Sequence, residues 1–152
     1  MFVVTLPPSA ADDICSYARR AKKLGADILE VRSDLTPTID GFSTTRHPFA
    51  LPILLSIRQG KGRARSLRSR LKECEHLLLC KPYAIDIDIL DPLVPHLRSV
   101  WDGELILSYH NYEETPRFSV GRKIVQKMCS MKPLMVKVAT AIKDYSDYET
   151  HQ

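Results

Sequence analysis

Apolar residues fall along this chain in short continuous runs, at about residues 2–6, 27–32, 53–58, 83–89, 104–110 and 134–139. Runs of this length, rich in Val, Ile and Leu and bounded by Gly, Pro, Ser and Asp, predict β-strands covered on both faces. Helical character lies between most of them. Pro7-Pro8-Ser9 stops the first run, and Ser9 can cap a helix reaching Leu24. Asp12 and Asp13 suit its positive end, Arg19, Arg20, Lys22 and Lys23 its negative end, and Gly25 its stop. Residues 33–52 are rich in Thr, Pro and Ser with poor apolar periodicity, so the helix of this unit is expected to be weak or vestigial. Gln59-Gly60-Lys61-Gly62 leads into a basic helix ending near Cys80, with Leu71, Cys74, Leu77 and Leu78 as its apolar stripe. Asp91-Pro92 or Val94-Pro95 opens a short helix to Val100, and Thr115-Pro116, as N-cap and first helical residue, one to about Met131.

The order is therefore β-α repeated, with strand starts roughly 21 to 31 residues apart, the spacing of right-handed crossovers in a parallel sheet. A doubly wound sheet would place a ligand at a switch point, usually behind a glycine-rich first turn, and Leu6-Pro7-Pro8-Ser9 is not one. A barrel places chemistry at the C-terminal ends of many strands, which suits the distribution of charges described next. The expected fold is α/β, a (β/α)8 TIM-barrel type that is incomplete: about six strands are present and the last two βα units are missing. A single domain over residues 1–152 is expected, either the N-terminal part of a longer protein or a naturally shortened one. The first and sixth strands would be open edges, which favour a homodimer, swapping or aggregation.

The strands carry ionisable groups where a buried parallel strand would hold only aliphatic ones. They are Glu30 and Arg32, Arg58, Asp86 and Asp88, His110, and Lys137 within Leu134-Met135-Val136-Lys137-Val138-Ala139. A lysine in such a run is costly as an ammonium, and an amine kept neutral there is a nucleophile for carbonyl carbon. On parallel neighbouring strands these groups would converge on one site.

Composition changes this picture little. The chain has 152 residues, 44% hydrophobic and 26% charged, with a net charge of +4, ordinary values for one globular core. Cys15, Cys74, Cys80 and Cys129 show no C-x-x-C pairing and read as reduced thiols, which points to the cytoplasm. No segment has the form of a signal peptide or the length of a membrane span. Lys61, Arg63, Arg65, Arg68, Arg70 and Lys72 could bind phosphates or nucleic acid. The blander reading, a solvated helix face, is favoured because no aromatics interleave and Glu73 and Glu75 follow. Asp86 and Asp88 share one strand face, but a cation site there lacks further carboxylates nearby in sequence. His47, His76, His96 and His151 are expected at the surface.

Gly25 to Asp34, Pro52 to Arg58, Ile85-Asp86-Ile87-Asp88, Ser108-Tyr109-His110-Asn111-Tyr112 with Thr115-Pro116, and Val136-Lys137-Val138-Ala139 together resemble the type I 3-dehydroquinate dehydratases. The resemblance runs from Phe2 to about Ile142, with five motifs in order. It implies a (β/α)8 barrel and a shikimate-pathway lyase that dehydrates 3-dehydroquinate to 3-dehydroshikimate, with no metal or organic cofactor. It further implies Lys137 as Schiff-base amine, His110 as acid and base, Glu30, Arg32 and Arg58 as substrate-binding groups, and Asp86 and Asp88 as supports. Asp88 stands where the family usually has glutamate. The glutamate that commonly follows the third-strand arginine and orients the histidine is also absent, which leaves that task unfilled or to another group, with Asp86 and Asp88 as candidates. The strands that supply a further arginine, serine and glutamine are missing. Alternatives are a non-catalytic barrel remnant and the N-terminal piece of a fused dehydroquinase and shikimate dehydrogenase. The partner expected is the small molecule, with no nucleic acid and no membrane.

Overall fold

The computed structural model of the chain describes residues 1–35, 49–59, 66–145 and 147. Among them, six strands form one sheet in sequence order: β1 (Val3–Thr5), β2 (Ile28–Arg32), β3 (Ile53–Ile57), β4 (Ala84–Asp88), β5 (Glu104–Asn111) and β6 (Met135–Thr140). Every neighbouring pair is parallel, so the sheet curls as an open half-barrel whose edges are β1 and β6. Four helices among the described residues cross between strands: α1 (Ile14–Lys23), α2 (Leu67–Leu78), α3 (Val94–Val100) and α4 (Phe118–Ser130). The segment between β2 and β3 that was expected to hold a weak helix lies mostly outside the described residues, as do Lys61, Arg63, Arg65, His47 and His151.

Alternation along each strand separates two faces. Leu29, Val31, Leu55, Ile57, Ile85, Ile87, Leu105 and Leu107 are buried in one hydrophobic core with Ala18, Cys74, Leu77, Leu97 and Met128 from the helices. Fully burying each large aliphatic side chain contributes about 1.5–3 kcal/mol, so this layer fixes which face turns outward to the helices. The other parity, Thr5, Glu30, Arg32, Ser56, Asp86, Asp88, Ser108, His110 and Lys137, then has to point to the concave side. A shift of one residue in any strand would exchange the two sets.

Three sequence expectations require correction. Ser9 does not cap a long helix: Pro8–Asp13 form a 3-10 turn, and Asp13 caps α1 by accepting from the Ser16 N–H at 3.1 Å. Thr115 does not cap α4, which starts after Arg117. Its hydroxyl instead meets Thr140 Oγ1 and donates to the Ala141 carbonyl, each at 2.9 Å, tying the end of β6 to the loop after β5. Arg70, assigned to a solvated basic face, is buried. The opening of α3 follows Val94-Pro95, with proline in the first turn.

Candidate active site

Register lines up the concave groups in rows across the sheet. Arg32 lies opposite Ser56, and Ser56 opposite Asp86; one row further along, Asp88 lies opposite Ser108, and Ser108 opposite Lys137. His110 is opposite Ala139, two residues beyond Lys137 along the strands, or about 7 Å.

Asp86 is the hub. Its side chain is 2% exposed, Oδ2 accepts from Arg58 Nη2 at 2.7 Å and lies 3.6 Å from Lys137 Nζ, and Oδ1 accepts from Ser108 Oγ at 2.7 Å. Arg58 Nη1 also reaches Ser108 Oγ at 3.3 Å. A carboxylate this deep is tolerable because each of its oxygens meets a donor. Glu30 is held one row deeper, accepting from Ser56 Oγ and Thr5 Oγ1, both at 2.6 Å. Arg32 and Asp34 form a two-pronged pair at 3.1 and 2.9 Å, and that bond to Asp34 raises the arginine's pKa above its ordinary value. Both arginines are thus engaged with carboxylates, and a substrate carboxylate would have to share or displace those partners.

Of the two aspartates that are candidates for orienting His110, Asp88 is the one whose bonds to it the structure shows. Its Oδ2 lies 3.1 Å from His110 Nδ1 and accepts the His110 backbone N–H at 3.0 Å. An acceptor at Nδ1 places that proton on Nδ1 in the neutral ring and leaves the Nε2 lone pair free. Tyr112 stacks on the imidazole with centroids 5.9 Å apart and planes 23° apart. The shorter aspartate reaches the ring because β4 and β5 are direct neighbours.

Lys137 departs from expectation. Its side chain is 48% exposed, so the burial invoked to keep the amine neutral is absent. Among the described residues β6 pairs with β5 alone, and nothing beyond it covers the strand; Met135 and Val138 are likewise exposed. Two openings flank the hub. A trough of about 460 Å³ is lined by Thr5, Glu30, Leu54, Asp86, Ile106 and Lys137, and a mouth of about 700 Å³ by Arg32, Asp34, Arg58, Asp88, His110 and Tyr112. Together the two openings hold all seven candidate residues. Ser56, Ser108 and Thr5, which carry no charge to mark them in the sequence, supply hydroxyl donors to Glu30 and Asp86. Period two would have placed Ser56 beside Arg58 and Ser108 beside His110, since each lies two residues before it. Among the described residues no group of three or more His, Cys, Asp or Glu gathers as metal ligands. No described helix is long and apolar enough to cross a membrane.

The model of the type I 3-dehydroquinase family matches residues 2–150. The chain belongs to that family. It is 30% identical over 147 residues to the 3-dehydroquinate dehydratase of Thermodesulfovibrio yellowstonii, a match covering 91% of this chain and 64% of the relative. It is 31% identical over 129 residues to that of Thermococcus onnurineus, covering 80% of this chain and 59% of the relative. The chain therefore spans roughly six-tenths of these family members' length. Among solved structures, the 3-dehydroquinate dehydratase from Aquifex aeolicus VF5 superposes with a TM-score of 0.75 at 25% identity, over 99% of this chain and 71% of that one. The enzyme from Geobacillus kaustophilus HTA426 gives 0.78 at 17% identity, over 98% and 65%, and supports the fold.

Proposed function

We propose that this chain is a dehydroquinase-type lyase that removes water from 3-dehydroquinate through an imine on Lys137. The observation that carries the reading is the gathering on one concave face of an amine, two guanidinium groups and an imidazole whose Nδ1 faces a carboxylate. In the proposed sequence the unprotonated Lys137 amine adds to the substrate ketone, and loss of water leaves an iminium. The iminium draws electrons from the neighbouring carbon, His110 Nε2 takes its proton, and the same proton returns to the departing hydroxyl, which leaves as water. Hydrolysis of the conjugated iminium releases 3-dehydroshikimate and restores the amine. Arg58 and Arg32 serve the carboxylate and hydroxyls, Glu30 the hydroxyls, Asp86 the pairing of both cations, and Asp88 the aim of His110. The reading treats residues 1–152 as one domain. The four cysteines, free in this structure, suit a reducing cytoplasm.

A second reading, a non-catalytic domain of this fold, is favoured by the half-exposed Lys137. Nucleic-acid binding loses support, because Arg70 is committed internally. The test is the intact mass of the purified chain after 3-dehydroquinate and borohydride, alongside Lys137→Ala. A reduced adduct that requires Lys137 is the expected result. A folded chain that forms none rejects the lyase reading in favour of the non-catalytic one.

A further inference from the structure

Arg70 belongs to the basic run that the chemistry above does not use, yet it turns inward. Its side chain is 7% exposed and grips Asp91, 3% exposed, with Nη1 on Oδ1 at 3.0 Å and Nη2 on Oδ2. Asp91 stands just past β4, and its backbone N–H ties it to Asp88. Its N–H donates to the Asp88 carbonyl at 2.9 Å, closing a four-residue turn, while its Oδ1 accepts the Leu93 N–H at 2.9 Å. Within that turn Asp88 Oδ1 accepts the Leu90 N–H at 2.9 Å, and Oδ2 faces His110. Asp91 also lines the mouth beside Asp88 and His110.

Resting on the lyase reading, we infer that Arg70 and Asp91 are positioning residues for His110, acting through the turn that carries Asp88. The physical reason is the size of the acceptor. Aspartate reaches less far than glutamate, so its backbone must be held closely if Oδ2 is to meet Nδ1. A buried guanidinium fork fixes a carboxylate in both direction and plane, and fixing Asp91 fixes both ends of the turn. Buried pairs are poor devices for stability alone, since apolar residues of equal volume often replace them at no loss. Without Arg70 the Asp91 carboxylate is buried unpaired and swings toward water, the turn opens, and Asp88 leaves the ring. The imidazole then reverts to the Nε2–H form that histidine prefers in water, which has no lone pair where the substrate proton would be taken.

The test is the tautomer of His110, read from ring ¹⁵N shifts at a pH where the ring is neutral. The signals are assigned by their loss in His110→Asn. The other charged groups at the mouth, Arg32, Asp34 and Arg58, with Asp86 and Lys137 in the trough and the Tyr112 hydroxyl, stay the same in every sample. Wild type is expected to show Nδ1–H, and both Asp88→Ala and the neutral pair Arg70→Met/Asp91→Asn to move to mostly Nε2–H. Asp91→Asn keeps the acceptor for Leu93 and serves in place of the double variant if that does not fold. A folded pair variant that retains Nδ1–H overturns the inference, as does a wild type that shows Nε2–H. The readout needs no turnover, so a missing borohydride adduct with the tautomer shift intact defeats the lyase reading and leaves the positioning device standing.

Discussion

Replacing Asp86 by alanine removes the carboxylate that Arg58 and Lys137 share. Arg58 is 14% exposed and its partner 2%, so the pair lies in the class where deleting one member strands a buried charge at about 3–5 kcal/mol. Two features favour the lower end. Arg58 keeps Ser108 Oγ at 3.3 Å, and its remaining exposure admits some water. Lys137 sits 3.6 Å away but is 48% exposed, so its loss adds less than about 1 kcal/mol. The expected cost is about 3 kcal/mol. In a chain of this size that lowers Tm by roughly 6–12 °C and moves the urea midpoint at unchanged slope. Asp34→Ala is the internal comparison: Arg32 is 39% exposed, so the cost there should not exceed about 1 kcal/mol. Equal losses in the two variants would show that burial does not set the strength of these pairs, and the argument for Asp86 as the hub would fail.

Two further outcomes follow from titration. The Ser16 backbone N–H, and after it the Ser16 hydroxyl, hold the Asp13 carboxyl below its ordinary value, so its cap stabilises the fold above the unfolded aspartate range and is lost as pH falls through the lowered folded value. The Tm difference between wild type and Asp13→Ala should therefore narrow on acidification, and a gap that is constant from neutral to strongly acid pH would contradict this. Burial pushes the Cys74 thiol up to about 11, so above the ordinary thiol range the unfolded chain releases a proton that the folded chain keeps. Stability should fall between about pH 9 and 11 more steeply in wild type than in Cys74→Ala, judged by urea midpoints, and parallel slopes would refute it.

Much of the site was legible because strand chemistry is written with period two. Glu30 and Arg32, Asp86 and Asp88, and Ser56 and Arg58 are spaced to share a face whatever the loops do. Tyr109 and His110 are adjacent, so only one of them could face the site, and the core took Tyr109, which is 8% exposed. What the spacing did not carry was partner choice. Asp86 and Asp88 were interchangeable candidates for orienting the histidine, and only the stagger between β4 and β5 gives the ring to Asp88 and the cations to Asp86. Arg70 was misplaced for a related reason. Its neighbours Arg68 and Lys72 are exposed and nothing local marks it as different, since its anion lies 21 positions away.

Sequence alone thus determined the alternation of strand and helix, the parallel sheet, the family and the identity of the ionisable strand residues. These depend on local periodicity and on hydrophobic burial, which is nondirectional and tolerant of detail. Tertiary structure decided which carboxylate meets which cation, how far Lys137 stands in water, and which arginine turns inward. Hydrogen bonds and ion pairs are directional and act over a few ångströms, so their partners are set by strand register and helix placement rather than by proximity along the chain.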